Sequence, residues 1–205
     1  MWRYSKADSA AHVATIGITL LAGVEMGVIA GVGVALLLYL WSASRPHAAI
    51  VGRGPETEHF RNIERHAVFT DPHILSIRID ESLTYLNAHG LEEFVMEEIA
   101  DHPELRHVIL MCSAVNAIDA SGLESLEAIN HRLKDGGIKL HLSEVKGPVM
   151  DKLERTHFVE DLGGKVHLSQ AGAFVDALRD NGDSDLQPHD LGSGPINGIH
   201  IGVGL

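Results

Sequence analysis

Ser44-Arg-Pro-His-Ala-Ala-Ile-Val-Gly-Arg-Gly-Pro-Glu-Thr-Glu-His-Phe-Arg-Asn-Ile-Glu-Arg-His66 divides this chain into two kinds of sequence. Upstream lies a membrane-grade apolar segment. Between Ala10 and Trp41 the only acidic, basic or imidazole side chains are His12 and Glu25. Downstream, from Ala67, short apolar runs alternate with amphipathic ones, as in a water-soluble α/β domain. Residues 45–66 therefore read as a linker between a membrane part, 1–44, and a soluble domain, 67–182.

A helix crosses the hydrocarbon with about 20 residues, so an apolar run of roughly 32 is too long for one untilted span. It is also too long for a secretory signal, and no small-residue cleavage pattern follows it. Two readings remain open: a hairpin of two short helices breaking near Gly23 to Gly27, or one span over Val24 to Trp41 after an interfacial helix. Arg3 and Lys6 flank one end, Arg45 and Arg53 the other, and only Glu25 lies between. Basic residues favour the cytoplasmic side, which puts both ends there and favours the hairpin. Gly23, Gly27 and Gly31 recur every four residues, a spacing that lets helices approach closely in lipid. Glu25 between glycines fits a turn at the far membrane surface.

The soluble part reads element by element. Ile74 to Ile79 is a strand, with Leu83 to Leu86 as a short hairpin partner. Leu91, Phe94, Val95 and Ile99 share one helical face and Glu92, Glu93, Glu97 and Glu98 the other; Pro103 ends that helix by Asp101. Val108 to Cys112 is a continuous apolar run, as in a strand buried on both sides. A helix through Leu123, Leu126, Ile129 and Leu133 closes at Gly136-Gly137. A strand at Ile138–Ser143, a short helix opening at Lys146-Gly-Pro-Val, an edge strand at 166–168 and a helix through Phe174 and Leu178 complete the domain. Such alternation specifies one sheet with helices packed on it, without fixing the strand order. Residues 183–205, rich in Gly, Asp and Ser, read as a disordered tail.

Composition excludes several functions. With 28 acidic and 16 basic residues the net charge is −12, against nucleic acid as a partner. The single cysteine, Cys112, allows no internal disulfide and sits in an apolar run, as a buried thiol does. The 14 histidines show no metal-ligand spacing, and no phosphate-cradling glycine loop or nucleophile elbow is present. No metal, cofactor or enzymatic activity is expected.

Asp119-Ala-Ser-Gly-Leu123 opens a helix after the buried strand. A helix N-terminus offers free N–H groups to an anion or a phosphoserine. Ser121 with Glu124 also fits a capping box, and Asp119 fits a local cap. Asp119, Ser121 and Gly122 are the candidate anion or phosphorylation site, with helix capping as the simpler role.

These motifs, in order, resemble the end of SulP (sulfate permease) anion transporters and their cytoplasmic STAS domain. Trp2-Arg-Tyr-Ser-Lys-Ala-Asp8 and Gly23-Val-Glu-Met-Gly27 are similar to the segments around the last two membrane helices. Ser44-Arg-Pro-His47, Gly52-Arg53, Arg61-Asn-Ile-Glu64, Arg78-Ile-Asp80, Tyr85-Leu-Asn-Ala88, Asp119-Ala-Ser-Gly-Leu123 and Val145-Lys-Gly-Pro-Val149 continue the likeness. The resemblance implies an α/β STAS domain, a mixed sheet with helices, preceded by a transmembrane helical hairpin. It implies a C-terminal fragment or subunit of a sulfate or inorganic anion transporter in the inner (plasma) membrane, with the domain in the cytoplasm. Such a piece lacks the anion site, which in the family lies well upstream, and is not transport-competent alone. Its partners would be membrane lipid, upstream helices or a second copy in a homodimer, and a cytoplasmic protein. The alternative is a membrane-tethered STAS binding module resembling an anti-sigma factor antagonist. Antagonists commonly carry two adjacent hydroxyl residues in this loop, whereas this chain has Ala120 before Ser121.

Overall fold

The computed structural model describes residues 13, 15–17, 19–21, 23–55, 57–182 and 200–202. They fall in two compact units, Met1–Arg45 and Pro46–Leu205.

In the first unit, helix α1 (Val24–Ala43) has 20 residues, about 30 Å at 1.5 Å per residue and so the thickness of a hydrocarbon core. Among the described residues it is the one helix long and apolar enough to cross a membrane. Its apolar side chains point in all directions, with Val24, Leu37 and Tyr39 all exposed. A lipid-facing helix needs no polar face. Before it, residues 13, 15–17 and 19–21 are helical. The chain reverses at Gly23, whose φ of 90° suits only glycine. A Cβ placed on Gly27 would overlap the Thr19 side chain, and one on Gly31 would lie 3.1 Å from the Thr15 methyl. Both pairs are equidistant from Gly23, so the earlier helical residues fold back antiparallel on α1. At its other end, the Arg45 guanidinium stacks 4.8 Å over the Trp41 ring.

The second unit holds strands β1 (Ala48–Arg53), β2 (Phe60–Asn62), β3 (Val68–Thr70) and β4 (Ile74–Ile79). Helix α2 (Ala88–Ala100), β5 (His107–Met111), α3 (Ala120–Asp135) and β6 (Lys139–Ser143) follow. The series ends with α4 (Gly147–Arg155), α5 (Phe158–Asp161), β7 (Val166–His167), α6 (Gln170–Asp180) and β8 (His200–Gly202). The sheet order is β7-β6-β5-β4-β1-β3-β8, with β2 on β1. Strands β4 to β7 are parallel; β1, β2, β3 and β8 join antiparallel. It is a mixed sheet.

Two apolar layers flank it. Leu75, Ile77, Val108, Leu110, Leu140 and Leu142 pack under α2, α3 and α4 with Leu91, Leu126 and Leu153. On the opposite face, Ile74 and Ile109 meet Ala173, Phe174 and Leu178 of α6, with Val51 and Phe60. Because α6 covers this second face, the alternate residues of β6, His141 and Ser143, are buried too. Their polar atoms are satisfied internally: Ser143 Oγ donates to Gln170 Oε1 at 2.5 Å, and Gln170 Nε2 donates to Ser76 Oγ at 3.0 Å. A buried polar group without such a partner would cost about 1–3 kcal/mol.

The structure differs from the sequence reading at three places. Residues 45–66, expected as a linker, contain β1 and β2, and β1 lies against β4 with Ala48, Ala49 and Ile50 opposite Ile79, Arg78 and Ile77. Gly52 is required there, since a Cβ would fall 2.7 Å from the Phe69 carbonyl oxygen. Leu83 to Leu86 is not a hairpin partner of β4. Leu83 instead forms a single parallel bridge to Ile118, and Thr84 turns the chain into α2. In the segment expected to be a disordered tail, residues 200–202 pair with β3, and the rest lies outside the described residues.

Candidate functional site at the start of helix α3

Between β5 and α3 the chain runs through Cys112–Asp119 and meets the loop after β4. Leu83 N–H donates to the Ala117 carbonyl at 3.0 Å, and Asp119 N–H donates to the Leu83 carbonyl at 3.1 Å. This two-loop clasp fixes where α3 begins.

Asp119 is the N-cap. Its backbone is extended, and its Oδ1 accepts from Gly122 N–H at 2.9 Å. Its Oδ2 accepts from Tyr85 N–H, also at 2.9 Å. The Gly122 amide, then the Tyr85 and Ser121 amides and the Lys152 charge, hold this carboxyl below the ordinary carboxylate range against a smaller effect of burial. Ser121 lies inside the helix, so the Ser121–Glu124 capping box does not form the cap. A Ser and an Asp two residues apart compete for one role, and the clasp with Leu83 decides for Asp119. Gly122 is buried, and a Cβ on it would meet the Leu83 carbonyl oxygen at 2.8 Å and Ile118 Cγ1 at 2.9 Å.

Of the three residues in question Asp119 is exposed, Ser121 half-buried and Gly122 buried, while the exposed neighbour is Ala120. The accessible position of the loop thus lacks a hydroxyl. A shallow cavity of about 290 Å³ opens beside it, lined by Ile118, Ala120, Leu123, Lys152, Arg155 and Thr156. Lys152 Nζ donates to the Ile118 carbonyl at 2.7 Å, which places a cation against the loop. The sequence reading missed Tyr85, Leu83 and Lys152, because their roles depend on contacts between distant segments.

The membrane glycines divide by role. Gly23 is the turn, with open space where a Cβ would project, whereas Gly27 and Gly31 face Thr19 and Thr15. Cys112 is buried, and burial pushes its thiol up to about 12, so it stays protonated. Three of the scattered histidines come together across neighbouring strands. His107 Nδ1 is 3.1 Å from His141 Nε2, and His141 Nδ1 is 3.4 Å from His167 Nε2. Among the described residues no group of three or more His, Cys, Asp or Glu has the geometry to hold a metal ion.

Residues 66–173 match the STAS domain family. Sulfate transporter 1.3 of Arabidopsis thaliana is 30% identical over 184 residues, 84% of this chain and 28% of the relative. Probable sulfate transporter 4.2 of the same plant is 32% identical over 174 residues, 80% of this chain and 26% of its own length. The chain thus spans little more than a quarter of these relatives. The fold is similar to that in the structure of murine Solute Carrier 26 family member A9, an anion transporter in the inward-facing state. That likeness has a TM-score of 0.72 at 18% identity and covers 87% of this chain and 30% of the other. With the family matched over more than half of its residues, the chain belongs to the STAS domain family, consistent with the C-terminal part of a SulP/SLC26 transporter.

Proposed function

We propose that this chain serves a sulfate or inorganic anion transporter, as its cytoplasmic STAS regulatory and interaction domain together with the adjoining membrane helices. The observation that carries this reading is the extent of similarity. A match over 184 residues to a sulfate transporter reaches well beyond residues 66–173 and so takes in sequence outside the domain. Helix α1, of membrane length and apolar all round, supports it. A domain that merely needed a tether would show similarity to transporters only within its sheet and helices.

In this reading α1 lies in the inner (plasma) membrane and the sheet domain in the cytoplasm. The chain works against further transporter helices or a second copy of itself. The 205 residues by themselves do not move anions. No enzymatic step is assigned, in keeping with relatives named as transporters. Asp119, Ser121 and Gly122 primarily build the start of α3. Ser121 is the hydroxyl that a partner kinase would modify, and its phosphate would stand at the positive end of α3 but close to the Asp119 carboxylate.

Co-purification tests the reading. The tagged chain, coexpressed with the membrane part of a sulfate-transporter relative that lacks the matched residues, is expected to hold that part through detergent extraction. Recovery of the chain without it, from membranes containing both, supports the tethered binding module instead.

A further inference from the structure

We propose that His141, set between His107 and His167, is an acid-sensitive latch that holds edge strand β7 on the sheet only while its imidazole is neutral. The inference rests on the geometry of the sheet and is independent of the transporter reading.

The hydrogen bonds around His141 have one direction. The backbone N–H of Lys165 can only donate, and it meets His141 Nδ1 at 3.2 Å. Nδ1 is therefore the acceptor, and the neutral ring carries its proton on Nε2, which donates to His107 Nδ1. His107 then holds its own proton on Nε2, 3.4 Å from the Asp180 carboxylate. A second proton on His141 must go to Nδ1, where it would point at the Lys165 N–H. Donor would face donor.

The ring cannot turn away from this conflict. It is 3% exposed, and Gly164 lies against it so closely that a Cβ there would be 2.8 Å from both Cε1 and Nδ1. Relief must come from movement of residues 163–167. That segment is short: β7 has two residues, tied to β6 through Leu142 N–H to the Lys165 carbonyl at 3.0 Å and Glu144 N–H to the His167 carbonyl at 3.1 Å, with Gly163 N–H donating to Asn130 Oδ1 at 3.0 Å and Lys165 Nζ to Asp176 at 2.9 Å. Protons have a route in, through a cavity of about 350 Å³ lined by His107, His141, Gly163, Gly164 and Lys165.

Charged groups surround the ring from every element packed near it. Strand β5 supplies His107 with Arg106 before it, β6 supplies Lys139, and the β7 segment supplies Lys165 and His167. Helix α6 contributes Asp176, Arg179 and Asp180. The two carboxylates are already engaged by lysines, Lys165 to Asp176 at 2.9 Å and Lys139 to Asp180 at 2.6 Å. Burial above all, then the neighbouring imidazoles, lowers His141 to about 4. Burial also lowers His107 and His167, with Asp180 and Asp176 opposing it respectively. A depressed imidazole binds protons more readily in the opened segment, so opening grows as pH falls below the ordinary 6.5 and levels off near 4. Between pH 7.5 and 5.5 these two values shift the opening equilibrium roughly tenfold.

Amide hydrogen exchange of the full chain in detergent, corrected for the intrinsic pH dependence of exchange, tests this. Protection of residues 165–167 should fall about tenfold from pH 7.5 to 5.5 while Ile77 and Leu110 stay unchanged. His141→Asn keeps an acceptor for Lys165 N–H without titrating, and its protection should change with pH much less than the wild type's, by the contribution of His167 alone. Equal wild-type protection at both values, or an equal loss in the variant, overturns the latch. Should H141N fail to fold, NMR titration of the wild-type chain decides. The His141 ring and the Lys165 amide must titrate together, and a ring that titrates with no change at that amide overturns the proposal.

Discussion

Gly122 lies so close to Leu83 that a Cβ on it would stand 2.8 Å from the Leu83 carbonyl oxygen. That oxygen also accepts the Asp119 N–H at 3.1 Å, so one carbonyl fixes both the first residue before α3 and its third residue. Gly122→Ala should force the two loops apart and destabilise the domain by about 1–3 kcal/mol, as overpacking does. Denaturant unfolding of the variant measures it, and an unchanged midpoint would show that the clasp yields freely.

Asp119→Ala removes the acceptor of two amides, Gly122 and Tyr85. The expected cost is about 1–2 kcal/mol, near the upper end for a lost cap. Its pH dependence has a definite sign. The carboxyl is lowered from 3.8 chiefly by the Gly122 amide, so its contribution is complete above the unfolded value and is lost as pH falls below it through the folded one. Wild type and variant should therefore converge in stability only at strongly acid pH. Asp119→Asn, which keeps an acceptor, should recover part of the loss at neutral pH.

The α1 glycines can be probed by covalent capture. A Cβ on Gly31 would lie 3.9 Å from the Thr15 Cβ, within the range a disulfide spans. T15C/G31C should thus close an intramolecular bridge on mild oxidation, visible as faster migration on non-reducing gels. The buried Cys112 will not compete. In the double variant Gly27→Leu and Gly31→Leu, bulky side chains replace the close approach, while hydropathy still permits insertion. That chain should insert normally but lose the packing of Thr15 and Thr19 against α1, and with it any association that needs the folded-back pair. Unchanged association would favour a simple anchor.

The position of β1 sets where the soluble domain begins. Residues 46–182 should unfold in one cooperative thermal transition, whereas 67–182, lacking β1 and β2, should not. Removing β1 and β2 leaves the β4 edge at Ile77 and Ile79 unpaired and takes Val51 and Phe60 from the layer under α6. Equal cooperativity of the two segments would show that β1 is dispensable.

Periodicity made most of this fold legible. The amphipathic faces of α2 and α3 and the unbroken apolar run of β5 each state their own environment, and the helix ends at Asp101 and Gly136 fall where Pro103 and the glycine pair direct. Strand β1 escaped because Ala48-Ala-Ile-Val-Gly52 has small residues where strands usually carry large ones; Gly52 is needed for β3 to approach. The start of α3 is legible in the sequence, which leaves Asp119 and Ser121 both open as its cap. Two good capping residues lie two positions apart, and only the contact with Leu83 distinguishes them. The histidine cluster could not be read, since it arises from parallel register, Ile109 opposite His141 and Ser143 opposite His167. Strand order is a property of the whole sheet, and no local pattern encodes it.

Sulfate uptake into vesicles distinguishes a transporter piece from a tethered domain. It is to be measured with the 205-residue chain alone and with the chain joined by the membrane part of a sulfate-transporter relative lacking the matched residues. Background uptake is expected from the chain alone and saturable uptake when the two are combined. Saturable uptake by the chain alone, or a combination no better than the membrane part by itself, would contradict the transporter reading.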